Sequence, residues 1–305
     1  MPNEESYLNE SLRKIAKGAG IGFTGAFIGM AFGYFSRIVI ARFLNPEGYG
    51  LITLGIAGMS IAATLSLLGL PTGIQRYVSF YKGKGDEGRI KGTILGALKI
   101  CFPLSLFLAI LIFISADWIS IHVFHEAKLT PILRIFSIAI PFSVLAQNLV
   151  SSTIGFQDLR YKVYVNALFQ NTFKLVAIVT LLLLGFEVLG AAWGWVLAII
   201  LTPFLALYFL EKKLFPVFKS KIKSIPVEKE LFSFSRPLIF VSAAGLIIGW
   251  TDTLMLGYFS TASDVGIYNV ALPTAMLLMN ITVAFSMIFL PVAKEEKKGF
   301  YYENL

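Results

Sequence analysis

Three basic side chains and one carboxylate fall inside otherwise apolar stretches of the chain: Arg37, Lys99, Lys174 and Asp252. An ionisable side chain at mid-bilayer costs ~2.5–3.5 kcal/mol on insertion scales, so each such residue either serves a function or is paired. Asn166, Gln170 and Lys174 recur every four residues and share one helix face. A polar stripe ending in a lysine describes the wall of a hydrated cavity, or a set of interhelical hydrogen bonds. Lys174 stands ~18 Å along its helix at 1.5 Å per residue, too deep to snorkel easily. Arg37 can grip a phosphate with two parallel hydrogen bonds, and Asp252 can act in gating or ion coupling. The two can also neutralise each other. Lys99, about one and a half turns beyond Lys91, is placed to snorkel.

Signatures of covalent chemistry are missing. No glycine-rich loop ends in Lys-Ser or Lys-Thr, so no ATPase is encoded. His122 and His125 lie three residues apart without a further ligand nearby in sequence and read as loop residues. Asp86-Glu87 and Glu295-Glu296 sit in basic surroundings, where a transferase would gain nothing from them. The single Cys101 excludes a disulfide scaffold. The expectation is a protein that is not an enzyme and holds no cofactor or metal.

What positions these residues is a set of long apolar elements. Of 305 residues 56% are hydrophobic and only 14% charged, against roughly a quarter charged in soluble domains. A helix crossing ~30 Å of hydrocarbon needs about 20 mostly apolar residues. Eight stretches qualify: 18–43, 49–75, 92–115, 131–154, 163–186, 188–210, 237–259 and 265–292. They run continuously and lack the ~10-residue alternation of barrel strands. The fold class is therefore all-α, a polytopic transmembrane bundle of about eight spans. Residues 1–17 are polar and do not resemble a signal peptide; Ser6–Lys17 can lie on the membrane as an amphipathic helix or remain a solvated tail.

Basic residues fix the expected orientation. Twenty of the 26 lysines and arginines fall in the two tails and the even-numbered links, and only Arg42, Lys128 and Arg134 fall in the others. By the bias of cytoplasmic loops toward Lys and Arg, both termini are cytoplasmic. The net charge of +8 then follows from membrane orientation and attraction to anionic lipid, and needs no nucleic acid. The expected location is the cell membrane.

The chain repeats itself. Phe35-Ser36-Arg37 through Phe43-Leu44 and the exit Asn45-Pro-Glu-Gly-Tyr-Gly50 match Trp250-Thr251-Asp252 through Tyr258-Phe259 and the exit Asp264-Val-Gly-Ile-Tyr268. The offset is about 215 residues, or six spans, so the copies cross in the same direction, as in parallel-repeat transporters. Residues 1–215 form the first copy; residues 216–305 hold a linker and two spans of an incomplete second. Gly25, Gly29 and Gly33 line one stripe of the first span and permit close helix contact. Pro71, Pro103, Pro141, Pro203, Pro273 and Pro291 fall in or near spans and can kink them.

Leu12–Phe80 resembles the opening of the polysaccharide and lipid-linked oligosaccharide flippases of the multidrug/oligosaccharidyl-lipid/polysaccharide exporter superfamily. The resemblance rests on Arg13-Lys-Ile-Ala-Lys-Gly-Ala-Gly20, on Arg37 through Gly50, and on Leu68-Gly-Leu-Pro-Thr-Gly-Ile-Gln-Arg-Tyr77. Asp252–Ala271 is similar to the start of that family's second half. The resemblance implies transport of a polyprenyl-phosphate-linked oligosaccharide or polysaccharide unit by rocking of two repeats, with membrane lipid around it. Arg37 and Lys174 would meet the phosphate, and Asn166 and Gln170 the sugar hydroxyls. Family members have twelve to fourteen spans, so the implied partners include a C-terminal fragment or a second copy of the chain. A cation-coupled multidrug exporter of the same superfamily would need an acidic cavity, whereas the spans hold three bases against Asp252, with Glu187 at an edge. A non-transporting scaffold or fragment is the other alternative, favoured by the short second copy.

Overall fold

A computed structural model of the chain describes residue 25, residues 27–29, 31–219 and 221–276. The expected surface helix Ser6–Lys17, the end of the last span and the polar tail lie outside the described residues. Among those described there are helices and connecting turns, with no strand. We label them α1 (helical residues 25, 27–29 and 31–43), α2 (Pro46–Leu67), α3 (Leu70–Gly83), α4 (Glu87–Val123), α5 (Leu129–Gly155), α6 (Arg160–Leu183), α7 (Glu187–Leu214), α8 (Glu228–Phe259) and α9 (262–276). Six of them (α2, α4, α5, α6, α7 and α8) are long and apolar enough to cross a membrane.

Five of these follow the expected spans with shifted ends. The second does not. The stretch 49–75 is broken after Leu67, where Leu68 and Gly69 both adopt left-handed backbone (φ 49° and 70°). Gly69 accepts that conformation without strain and stops α2. The chain continues as α3, whose buried residues Leu70, Gly73, Ile74, Val78 and Tyr81 recur at three- and four-residue spacing. This is the pattern of a helix lying on the bundle with one face inward. A hydropathy window merges the two because α3 opens with Leu70-Pro71-Thr72-Gly73-Ile74.

Packing sorts the helices into centre and rim. In the most apolar window of α2 and of α5, 61% of residues are buried, against 11% in α6 and α8. The outer half of α4 turns Phe107, Ile114 and Trp118 outward, a surface suited to lipid. Two apolar clusters fill the bundle. One, around Ile52, Ile132, Phe136 and Val196, lies toward the turn between α1 and α2. The other, around Ile74, Tyr81, Ile94 and Val217, lies toward the end that carries the basic links.

Two pairs of helices end and open at positions 216 residues apart across their exit turns. α1 ends at Phe43 and α8 at Phe259; α2 opens at Pro46 and α9 at Ala262. Each second helix has its own cap. Asn45 accepts from the Gly48 amide at 2.8 Å. Thr261 and Asp264 form a reciprocal box, the Asp264 carboxylate accepting the Thr261 amide and the Thr261 hydroxyl accepting the Asp264 amide, both at 3.2 Å. The copies then meet across their own symmetry. A β-carbon on Gly50 would overlap the Ala262 carbonyl and come within 2.9 Å of the Gly266 nitrogen. One on Gly266 would overlap the Pro46 carbonyl and come within 3.1 Å of the Gly50 nitrogen. Pro46 and Ala262, like Gly50 and Gly266, are 216 apart, so the contact is reciprocal.

Hydrogen bonds from Ser260 and Thr261 hold the Asp264 carboxyl below its ordinary value of 3.8. A carboxylate favoured in the folded state stabilises above its unfolded pKa and loses that contribution as pH falls through the folded one. Unfolding in detergent should therefore show lost stability below about pH 4, and Asp264→Ala should flatten that part of the profile. An unchanged profile would mean the box contributes nothing.

At the basic end, α3 ties the second copy to the first. Tyr81 donates to the Glu230 carboxylate at 2.8 Å, and the Arg76 guanidinium lies 4.3 Å from the Phe234 ring. The linker before α8 lies against the first turns of α4: the Ile225 amide donates to the Gly88 carbonyl at 3.0 Å, and its own carbonyl sits where a Gly92 side chain would be. Because Glu230 is exposed and water can replace the phenol, Tyr81→Phe should cost only about 1 kcal/mol, measured by denaturant unfolding in detergent. A cost above roughly 3 kcal/mol, beyond the range of one such bond, would make it the main tie between the copies.

Candidate functional site

The site begins with an irregularity in α6. Residues Val163–Gln170 form a π-helical stretch, rare in proteins and often found where function needs a displaced side chain. α1 seats on it through two of the three predicted glycines. A β-carbon on Gly25 would overlap the Val163 side chain, and one on Gly29 would stand 3.2 Å from the Ala167 β-carbon. Gly33 faces open space. Their counterparts 216 residues on, Gly245 and Gly249, both have nothing within 4 Å.

Arg37 is exposed on α1, and its guanidinium charge acts on the Lys174 ammonium and on the Tyr49 phenol. Lys174 is 9% exposed. Its ammonium donates to the Asn171 side-chain oxygen at 3.1 Å and lies 4.4 Å from the centre of the Trp195 ring on α7. No carboxylate pairs with Lys174 or Arg37 among the described residues. Lys174 is thus a buried cation with neutral partners, whereas Arg37 is exposed.

Asn166 and Gln170 are half-buried on the same helix; neither bonds Lys174, which takes Asn171 instead. In a regular α-helix eight residues drift about 80° round the axis. The wider turns of the π stretch remove part of that drift, so Asn166 and Lys174 stay on one side. Asn171 sits three residues before Lys174, a same-face spacing, and was legible in principle. Trp195 was not, because nothing local to α6 points to α7.

Asp252 does not pair with Arg37. With the copies 216 apart its counterpart is Ser36, and its carboxylate accepts the Tyr268 hydroxyl of α9 at 2.8 Å. Lys99 is exposed. His122 stacks on Trp118, and His125 rests against Tyr258; among the described residues no cluster could hold a metal ion. An apolar cavity of about 640 Å³ lies where α1 and α2 meet α9, lined by Ala41, Pro46, Tyr49, Gly266, Val270 and Thr274. The Tyr34 and Thr274 hydroxyls bridge α1 and α9 at 3.2 Å, and Ala41 is one turn from Arg37.

Comparison with known proteins places this arrangement. The chain is similar to "Stage V sporulation protein B" of Bacillus subtilis (strain 168), 27% identical over 224 residues, 71% of this chain and 43% of that protein. It is 21% identical over 301 residues to "Uncharacterized membrane protein MJ1068" of Methanocaldococcus jannaschii, covering 94% of this chain and 59% of the relative. The chain thus spans about half the length of the curated relatives it matches. Among solved structures, the MATE multidrug transporter DinF-BH superposes with a TM-score of 0.65 at 17% identity, over 88% of this chain and 61% of that one. That likeness establishes a shared fold, a helical membrane bundle. A family model described as "Polysaccharide biosynthesis protein" matches residues 15–295, and the chain belongs to that family of multi-pass membrane proteins.

Proposed function

We propose that the chain forms part of a flippase-type transporter that moves a polyprenyl-phosphate-linked oligosaccharide or polysaccharide unit across the cell membrane. The observation that carries this reading is Lys174, a buried cation whose side-chain partners are an amide and an indole ring, with the exposed Arg37 as a second cation and no described carboxylate paired with either. Uncompensated cations are costly in a bilayer, and a phosphate entering between them removes that cost. Asn166 and Gln170 would offer hydrogen bonds to sugar hydroxyls. Asp252, held by Tyr268 and free of Arg37, would serve gating or ion coupling. The chain carries out no covalent step. With the basic links in the cytoplasm, the headgroup enters from the cytoplasmic leaflet and rocking of the two copies releases it outside.

The test is translocation of a fluorescent isoprenyl-diphosphate sugar in proteoliposomes holding the complete assembly. Transport that depends on Lys174 and Arg37 supports the reading. Equal transport of cationic dyes with none of the lipid-linked sugar would assign the chain to multidrug export instead.

A further inference from the structure

The partners of Lys174 are unusual in being neutral. A lysine buried in a membrane bundle ordinarily meets a carboxylate; this one meets an amide oxygen at 3.1 Å and an indole face at 4.4 Å. Both partners are fixed from behind. Asn171 is the first residue after the π stretch, and its amide nitrogen donates back to the Ala167 carbonyl at 3.3 Å. That bond turns the side-chain oxygen toward Lys174. Trp195 follows Gly194, where α6 and α7 approach closely: a β-carbon on Gly194 would lie 2.7 Å from the Ile178 backbone nitrogen. Ile178 is one turn beyond Lys174, so this crossing brings the indole over the ammonium.

We propose that Asn171 and Trp195 are positioning residues that hold the Lys174 ammonium in the empty transporter and surrender it to a diphosphate-bearing headgroup. The inference rests on the transport reading above and deepens it. A neutral amide and a ring face attract an ammonium less strongly than a multiply charged phosphate does, so the exchange runs toward the anion. A carboxylate at the same place would form an ion pair and compete with the headgroup. The neutral holder thus keeps the cation in position without neutralising it. Arg37, whose charge already acts on Lys174, supplies the second cation and favours an anion carrying more than one charge.

The experiment measures binding of geranyl diphosphate to the full chain in detergent, by calorimetry, alongside its thermal stability. Asn171→Asp turns the holder into an ion-pair partner; it should weaken binding tenfold or more while stability holds or rises. Asn171→Leu removes the competing oxygen and should tighten binding about twofold. Opposite signs at one position are not the signature of a damaged fold. In a chain whose Trp118, Trp193 and Trp250 are replaced by Phe, Trp195 emission should change on adding the diphosphate and stay constant in Lys174→Ala. Affinity falling equally in both Asn171 variants, or Trp195 emission indifferent to the anion while Lys174→Ala still weakens binding, would overturn the holder and leave the phosphate site standing. If Lys174→Ala binds as well as the parent, or neither binds, the transport reading falls and the holder with it.

Discussion

Lys174→Ala, measured in proteoliposomes with the complete assembly, should cut transport of a lipid-linked diphosphate sugar roughly 10- to 150-fold, the value of one charge-assisted hydrogen bond of ~1.5–3 kcal/mol. The same substitution should leave the protein as stable as before, or more so. The buried ammonium has no carboxylate partner among the described residues. Its removal relieves an insertion cost of ~2.5–3.5 kcal/mol against the loss of one hydrogen bond and one ring contact. Lost transport with retained stability separates a substrate contact from a structural one. Arg37→Ala should act in the same direction, and the double variant should lose less than the two effects added, because both cations serve one anion. Wild-type transport in both single variants would remove the cationic site from the mechanism.

Gly50→Ala should destabilise the bundle by about 2–3 kcal/mol, a large penalty for one methyl group. The methyl would meet the Ala262 carbonyl, a backbone atom with no rotamer to escape into. Gly266→Ala should cost a similar amount against the Pro46 carbonyl. The double variant should cost at least ~1 kcal/mol less than the sum, since a single separation of α2 from α9 relieves both overlaps. Gly245→Ala is the control, with nothing within 4 Å of the added carbon. There the helix-propensity gain of ~1 kcal/mol over glycine should appear unopposed. Denaturant unfolding in detergent reads all four variants. Strict additivity of Gly50→Ala and Gly266→Ala would mean the two glycines do not share one crossing.

Much of the architecture was written in composition and spacing. Hydrocarbon thickness fixes how many apolar residues a span needs, so α4, α5, α6, α7 and α8 were each found with only their ends displaced, while α2 was merged with α3. The two exit turns were legible because each needs particular residues, Asn45-Pro46 in one and Thr261 with Asp264 in the other. The sequence match aligns the turns at about 215, whereas α1 and α8 end 216 residues apart. That single residue separates Arg37 from Asp252 and gives Asp252 to Tyr268. The break after Leu67 escaped for a related reason: hydropathy reports burial from water and is silent on the left-handed backbone of Leu68 and Gly69 that interrupts the helix.

The sequence by itself determined that this chain is a helical membrane bundle and that Arg37, Lys99, Lys174 and Asp252 are the ionisable residues within its apolar stretches. Those facts depend on side-chain solvation, a property each residue carries alone. Tertiary structure alone decided what the exceptions touch. Trp195 reaches Lys174 because Gly194 lets α7 close on α6. α1 lies against the π-helical stretch of α6 because Gly25 and Gly29 leave room for Val163 and Ala167. Contacts between helices depend on which small residues face each other across the gap, and that pairing exists only once both helices are in place.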